Sequence, residues 1–340
     1  MARHATILLA AALSLGLWAQ PVRAGAALLF DAQDGHVLYA EDPDAPWYPA
    51  SLTKMMTAYL AFEAMRDRRV TKETKIFISP NAHRQPPTRL GLGIGKDLPL
   101  WDALHALIMR SANDIAVAIA ETLGGDEQSF VKQMNQTAAR LGMVHSHFIN
   151  PSGLPAEQQV TTARDMALLA QALLRDFPEH ASLYSETQAQ IGKIIIGTHN
   201  ALLTGFPGGD GIKTGFTCAS GYNVAASATR DGRRLIAIVL GEPSGAARTN
   251  RASALLENGF RTRQWKLMFP TPRVENLPTE VVGAGFEPDA GMLERFRVCK
   301  APPPPPPTTS STEGKVKKVN ATKKPAKQVR RKKKRARPVQ

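Results

Sequence analysis

The sequence predicts an α+β fold in which one antiparallel sheet combines strands from the N- and C-terminal parts of the chain, flanked by helices, with an all-helical lobe inserted. The early strands are two apolar runs, 26–31 and 36–40, which flank an Asp34-Gly35 turn and so indicate a hairpin. The late strands are three apolar segments, 211–214, 222–228 and 235–240. Because the residues between these groups have mainly helical periodicity, we expect the lobe to be inserted into the sheet.

Apolar spacing locates the helices. The predicted helices are 100–109, 115–123, 130–141 and a final helix 248–260. One more helix is predicted to begin at Thr162, which forms a capping box with Asp165. Another is predicted from Ser51, because Pro49 favours a sharp start and the apolar residues from Met55 to Phe62 would be buried. Residues 76–78 predict a short strand, and 80–95, rich in Pro and Gly, predict a loop.

The two ends of the chain differ in composition from its middle. Residues 1–24 combine basic residues, an apolar run and a final Val-Arg-Ala, which is typical of a secretory signal peptide and predicts export to the periplasm or cell envelope. Residues 25–264 are predicted to form the main domain, and 265–300 a short extension. Residues 301–340 are predicted to be a Pro-rich spacer and a disordered basic tail, since they contain 13 Lys and Arg residues and one Glu.

Cys218 and Cys299 are the two cysteines of this 340-residue chain, too few for a disulfide framework. An oxidising compartment would allow one bridge between them, but the sequence does not place them together. A Cys218–Cys299 disulfide and two buried thiols are therefore both left open.

Ser51 and Lys54 are a candidate nucleophile and base. If a helix begins at Ser51, their side chains lie on one face, close enough for a neutral amine to take the hydroxyl proton. Backbone N–H groups at the start of that helix can stabilise an anion that forms on an attacked carbonyl. The Ser-x-x-Lys spacing alone is more often a helix cap with an exposed lysine, so further signals are needed.

Two later motifs, Ser111-Ala112-Asn113 and Lys213-Thr214-Gly215, supply those signals. At ordinary residue frequencies, Ser-x-x-Lys and Ser-x-Asn are each expected roughly once in a chain of this length, and Lys-Thr-Gly about 0.1 times. The Ser-x-x-Lys spacing also occurs at 129–132, and the Ser-x-Asn spacing also occurs at 79–81. Context favours Ser51, which starts a helix, and Ser111, which occupies a break between two helices where its side chain can project into a cleft.

In this order the three motifs resemble those of the active-site serine penicillin-recognising enzymes. Six segments look most like the low-molecular-mass penicillin-binding proteins, which are D-alanyl-D-alanine carboxypeptidases with the fold shared by DD-peptidases and β-lactamases. The segments are 31–35, 48–57, 111–114, 148–154, 163–167 and 210–215. The resemblance covers roughly residues 26–260 and makes 25–264 a catalytic domain.

The resemblance implies a serine-type carboxypeptidase that removes the terminal D-alanine from peptidoglycan pentapeptide stems through an acyl-enzyme, with β-lactams as covalent inhibitors. It makes Ser51 the nucleophile, Lys54 the base and Ser111 the proton relay to the leaving amine. The substrate-binding residues that it implies are Asn113 for the amide, Lys213 and Thr214 for the carboxylate, Arg248 near the carboxylate, and also Gly215 and Phe216. The backbone N–H groups of Ser51 and Phe216 would hold the oxyanion. For Arg248 a surface helix charge is an equal alternative.

Three other functions fit part of the sequence. A serine β-lactamase shares the motifs, but no Glu stands in the Glu-x-x-x-Asn setting with which class A enzymes activate water, so slow release of penicillin is expected. An endopeptidase that cuts D-alanyl cross-links attacks a similar bond, and the motifs do not exclude it. A non-catalytic wall-binding protein that uses the basic tail is disfavoured, because Lys54 and Lys213 are both present.

No cofactor and no metal are predicted. His145 and His147 lack a third ligand at zinc spacing, and 91–95 lacks the preceding strand and following acidic residue of a dinucleotide site. The tail 301–340 is expected to hold the protein near anionic lipid or a wall polymer, because the amphipathic terminal helix of many family members is missing. Nucleic acid is not expected as a partner of an exported chain.

Overall fold

The computed structural model describes residues 25–278 and 290–300. Its strands are β1 (Ala27–Asp31), β2 (Val37–Glu41), β3 (Lys75–Phe77), β4 (Asp97–Pro99), β5 (Gln188–Ile191), β6 (Ile194–Gly197), β7 (Gly209–Thr217), β8 (Gly221–Arg230) and β9 (Arg233–Glu242). Its helices are α1 (Lys54–Arg66), α2 (Pro80–His83), α3 (Leu100–Met109), α4 (Asn113–Gly124), α5 (Glu127–Arg140), α6 (Ala163–Asp176), α7 (Leu202–Gly205), α8 (Gly245–Lys266) and α9 (Ala290–Lys300). Three 3₁₀ turns span Ala50–Thr53, Pro178–Tyr184 and Val274–Asn276.

The central sheet joins the two ends of the chain, which confirms the predicted α+β class. Its strand order is β2-β1-β9-β8-β7, and all neighbours are antiparallel. β1 and β2 form the predicted hairpin, and β1 then pairs with β9, with Leu29 opposite Ala237. β7, which contains the Lys-Thr-Gly motif, is therefore an edge strand.

Helices cover both faces of this sheet. Because successive strand residues point to opposite faces, Phe30 and Ile238 pack on one side with the buried residues of α1, α3, α4 and α6. Leu29 and Val239 pack on the other side with Ala252 and Leu256 of α8. Most of α1 is buried, as its apolar sequence predicted, so the helix that follows Ser51 lies in the core.

Several elements differ from the predictions. The loop predicted at 80–95 contains the short helix α2, which Ser79 caps by accepting a hydrogen bond from the Ala82 N–H at 2.9 Å. α8 starts three residues before the predicted 248 because Ser244 caps it, and it runs past the predicted 260 to Lys266. The hairpin of β5 and β6 and the helix α9 have little periodicity and were not predicted.

A disulfide joins Cys218, in the turn between β7 and β8, to Cys299 of α9. This bridge was one of the two alternatives that the sequence left open. Met292 and Phe296 of α9 are buried, and the Phe296 ring lies 5.7 Å from the Tyr48 ring, measured between centroids. The extension predicted at 265–300 therefore ends in a helix that packs beside the segment preceding Ser51.

The predicted signal peptide, 1–24, and the predicted spacer and basic tail, 301–340, lie outside the described residues. Among the helices that are described, none has both the length and the apolar character required to cross a bilayer.

Candidate active site

Ser51 lies in the 3₁₀ turn that leads directly into α1, whose first residue is Lys54. The segment before it is tied to the sheet: Asn223 Nδ2 donates hydrogen bonds to the carbonyl oxygens of Tyr48 and Pro49 at 2.9 and 3.1 Å. Ala50 has a positive φ of 49°, which costs energy for a residue with a Cβ. The surrounding contacts therefore hold the nucleophile's backbone in one conformation.

The amine of Lys54 has three polar neighbours and no exposure to solvent. Its Nζ lies 3.1 Å from Ser51 Oγ and 2.7 Å from Asn113 Oδ1, and it also donates to the Ser152 carbonyl. The two carbonyl-type oxygens can only accept, so they take two N–H groups. In a neutral amine the remaining position is a lone pair, and its neighbour is the hydroxyl of Ser51.

Burial favours that neutral form. Loss of hydration, and next the like charge of Lys213, hold the pKa of Lys54 well below its ordinary value, while Asp114 opposes the shift. A lysine with a lowered pKa can act as a base near neutral pH. The structure thus brings the predicted nucleophile and base together and favours the neutral amine that proton transfer requires.

Ser111 stands in the break between α3 and α4, as predicted, and has a positive φ of 61°. Lys213 Nζ donates to Ser111 Oγ at 2.8 Å and to the Thr214 carbonyl at 2.9 Å. Lys213 is 1% exposed, and burial together with the charge of Arg248 lowers its pKa to about 7. The second and third motifs therefore meet through this hydrogen bond.

Both the oxygen and the nitrogen of the Asn113 side-chain amide form hydrogen bonds within the protein. Oδ1 accepts from Lys54, and Nδ2 donates to the Pro86 carbonyl at 2.9 Å. Since a carbonyl cannot donate, the Pro86 contact fixes which end of the amide faces Lys54. Asn113 thus positions the amine of Lys54, a contact that the sequence did not predict.

Gly215 allows β7 to approach the nucleophile closely. A Cβ at this position would lie 3.1 Å from Ser51 N and 3.2 Å from Leu52 N. The backbone around Gly215 and Phe216 therefore lies beside the N–H groups at the start of the Ser51 turn. This is where a carbonyl oxygen attacked by Ser51 could receive hydrogen bonds from two directions.

Of these groups, Ser51, Ser111, Asn113 and Gly215 line a cavity of about 460 Å³. Its lining residues are Ser51, Pro87, Thr88, Ser111, Asn113, Gly153, Leu154, His199, Thr214, Gly215, Phe216, Thr217, Tyr222 and Arg248. Arg248 lies in the first turn of α8 and is 8% exposed, so it is not the surface helix charge that was the alternative for this residue. Its Nε has no hydrogen-bond partner among the described residues. A buried guanidinium beside a cavity is suited to an anionic group of a ligand.

Three parts of this site were missed by sequence reasoning. The Ser152 carbonyl that accepts from Lys54 is a backbone group, and its only signal was its place in 148–154, one of the six segments that carry the resemblance. His199 lines the cavity, and burial and the charge of Lys213 lower its pKa. Tyr222 of β8 also lines the cavity. No local sequence motif indicated His199 or Tyr222.

Comparison with known proteins reveals similarity over most of the chain. The family model described as D-alanyl-D-alanine carboxypeptidase matches residues 16–244. The D-alanyl-D-alanine carboxypeptidase DacA of Haemophilus influenzae is 34% identical over 253 residues, which is 73% of this chain and 64% of that protein. DacC of Escherichia coli is 36% identical over 250 residues, 72% of this chain and 62% of that protein. The chain thus spans slightly less than two thirds of these relatives.

Solved structures show the same similarity. Penicillin-binding protein 5 from Haemophilus influenzae superposes with a TM-score of 0.68 at 34% identity, over 70% of this chain and 71% of that one. Penicillin-binding protein D2 from Listeria monocytogenes, in its ampicillin-bound form, superposes with a TM-score of 0.65 at 32% identity, over 70% of this chain and 97% of that one.

Proposed function

Since the chain belongs to the D-alanyl-D-alanine carboxypeptidase family of serine peptidases, we propose that it removes the C-terminal D-alanine from peptidoglycan pentapeptide stems through an acyl-enzyme on Ser51. The observation that supports this most directly is the set of neighbours around Lys54. Two carbonyl-type oxygens take its N–H groups, and Ser51 Oγ lies at the third position, 3.1 Å away. This arrangement activates a hydroxyl at neutral pH without any other base.

Acylation begins when Ser51 Oγ bonds to the carbonyl carbon between the two D-alanines and its proton passes to Lys54 Nζ. The negative charge then lies on the carbonyl oxygen, where the backbone N–H groups of Ser51 and Phe216 stabilise it. The C–N bond breaks, and the leaving nitrogen takes up the proton that Ser51 lost. Ser111 relays this proton, because Lys213 holds its hydroxyl at 2.8 Å on the cavity side of the site.

Deacylation repeats the chemistry with water. A water molecule bonds to the ester carbonyl carbon, Lys54 accepts one of its protons, and the bond to Ser51 Oγ breaks as Ser51 regains a proton. Asn113 keeps the Lys54 amine directed at the reacting atoms through the 2.7 Å contact, and its place in the lining also lets it meet the substrate amide.

Thr214, Lys213 and Arg248 receive the carboxylate of the terminal residue. Thr214 and Arg248 line the same cavity, and the like charge of Arg248 adds to burial in lowering the pKa of Lys213. A bound carboxylate relieves this like-charge repulsion. The site therefore suits a substrate whose leaving residue carries a free carboxylate, as the terminal D-alanine does.

Product analysis tests this function. Purified protein and Ser51→Ala are each given a pentapeptide stem, and the products are weighed by mass spectrometry. We expect the wild type to release one terminal alanine and the variant to release none. Cleavage of only dimeric, cross-linked peptides would show an endopeptidase, and turnover of neither substrate would leave the wall-binding alternative.

β-Lactams are proposed as covalent inhibitors that acylate Ser51. The Listeria neighbours include ampicillin-bound and cefotaxime-bound forms, so the shared fold accommodates such ligands there. No Glu of this chain stands in the Glu-x-x-x-Asn setting of class A β-lactamases, so the penicilloyl-enzyme should be released slowly. Rapid turnover of penicillin would instead indicate a β-lactamase.

We further propose that residues 1–24 direct export to the periplasm or cell envelope, and that the basic residues of 301–340 hold the enzyme near anionic lipid or wall polymer. Each Lys or Arg close to an anionic surface contributes about 1 kcal/mol, screened by salt. The full chain should co-sediment with anionic vesicles more strongly than a chain ending at Lys300. Equal sedimentation of the two would rule out this role for the tail.

A further inference from the structure

The side chain of Phe216 is exposed in an otherwise buried stretch of β7. Lys213 and Thr214 are 1% and 8% exposed, whereas Phe216 is 53% exposed and lines the cavity. Aromatic side chains that line a cleft commonly contact a bound ligand. The proposed chemistry uses only the backbone N–H of this residue, so its ring has no function assigned.

Tyr222 completes an aromatic surface with Phe216. The two residues are opposite each other on β8 and β7, and their rings stack with centroids 4.2 Å apart and planes inclined by 30°. The guanidinium of Arg248 lies 6.0 Å from the Tyr222 ring centroid on the same cavity wall. We name Phe216 and Tyr222 together the aromatic wall.

The position of the aromatic wall follows from strand geometry. Residues two apart on a strand share a face, so Phe216 points to the same side of β7 as Thr214. In the proposed function, Thr214 and Arg248 bind the terminal carboxylate, while Ser51 and the Phe216 N–H hold the attacked carbonyl. The terminal residue lies between these two points, and the aromatic wall is next to both.

We propose that the aromatic wall contacts the side chain of the substrate's C-terminal residue and makes the enzyme select a small apolar group, such as a methyl, at that position. This inference rests on the proposed function and adds a specificity determinant to it. An apolar contact of one methyl group in such a pocket changes kcat/KM by about 10-fold or more.

Two peptides that differ only in their last residue, D-alanine or glycine, test the proposal. The ratio of their kcat/KM values isolates the methyl contact, because attack by Ser51 and binding of the carboxylate are common to both and cancel. We expect the wild type to prefer the D-alanine peptide and Phe216→Ala to reduce that preference by about 10-fold. Phe216→Tyr, which keeps the ring, should retain it.

Phe77 provides a matched control, because it is also a strand phenylalanine with 53% exposure and is not among the cavity-lining residues. Phe77→Ala should leave the ratio unchanged. The inference is overturned if Phe216→Ala keeps the wild-type ratio, or lowers kcat/KM equally for both peptides. If the wild type releases neither terminal residue, the proposed function itself fails, which is a separate outcome.

Discussion

Lys54 can act as a base because the fold removes it from water without giving it a carboxylate partner. Its nearest polar groups are the Ser51 hydroxyl, the Asn113 amide oxygen and the Ser152 carbonyl, none of which carries a charge. Removing an ammonium from water without a counter-ion is costly, so burial favours the neutral amine. The burial of this one side chain thus produces both the low pKa and the alignment with Ser51.

Replacing Lys54 by Met should greatly slow acylation, because among the described residues Lys54 Nζ is the basic group that hydrogen-bonds to Ser51 Oγ. General base catalysis contributes about 10²–10⁴-fold, so labelling by a fluorescent penicillin should slow by at least that range. Lys132→Met is the matched control: Lys132 also lies three residues after a serine, Ser129, but is exposed on α5. Labelling by Lys54→Met at the rate of the control would contradict the assignment.

The pH dependence of kcat/KM should reflect the ionisation of both Lys54 and Lys213. Acylation needs neutral Lys54, so kcat/KM should rise with pH through its pKa, which lies well below 10.5. Carboxylate binding is favoured by protonated Lys213, so kcat/KM should fall as the pH exceeds about 7, the pKa of that group. A bound carboxylate raises the pKa of Lys213, and the falling limb of kcat should therefore lie at higher pH. Limbs at identical pH in both profiles would contradict this role for Lys213.

The sequence predicted the polar side chains of the site better than their partners. Ser51, Lys54, Ser111 and Lys213 lie in short motifs whose order is informative, and the structure brings them together. The Ser152 carbonyl could not be predicted, because every residue has a carbonyl and only the fold selects one. The burial of Arg248 likewise depends on how α8 packs against the sheet, not on its local sequence.

Elements with strong local signals were predicted and those without were missed. The Asp34-Gly35 turn predicted the first hairpin, and α3 was predicted with its observed bounds because its apolar positions recur at helical spacing. β5 and β6 are four residues each and partly exposed, so no clear alternation marks them. α9 was missed because contacts with Tyr48 and the Cys218 bridge support it more than its own periodicity does.

Gly153 links the turn that holds Lys54 to the turn that holds Ser51. Its φ is +83°, and a Cβ would lie 1.8 Å from the Ala50 carbonyl oxygen. Gly153→Ala must therefore displace one of these turns, and penicillin labelling should fall at least about 10-fold, since small misplacements of reacting groups are costly. The free energy of unfolding should also decrease, by more than the cost of the backbone conformation alone.

Gly125 separates those two effects. It has the same φ of +83°, but a Cβ there meets no atom within 4 Å. Gly125→Ala should lose about 1–3 kcal/mol of unfolding free energy, because φ +83° with ψ −37° is strained for a residue with a Cβ, and it should keep the wild-type labelling rate. Equal labelling by both variants would show that Gly153 is not needed to position Ser51.

At the scale of the whole molecule, the site lies where the helical lobe meets the sheet edge. Ser111 comes from the lobe, Lys213 from β7, and Ser51 from the turn between the first hairpin and α1. Two of these regions are 102 residues apart in sequence and are joined by the Lys213–Ser111 hydrogen bond. The cavity therefore requires the complete fold, and loss of any layer should remove activity.

The Cys218–Cys299 disulfide anchors α9 to the turn that follows the Lys-Thr-Gly strand, across a sequence separation of 81 residues. Closing a loop of this length stabilises a domain by about 2–4 kcal/mol, chiefly by restricting the unfolded chain. The double variant Cys218→Ser/Cys299→Ser should lose that amount in urea unfolding, and the wild type should lose a similar amount when a reductant is added. The variant itself should not respond to the reductant. If reduction lowers the unfolding free energy of the wild type no more than that of the variant, the bridge does not stabilise the fold.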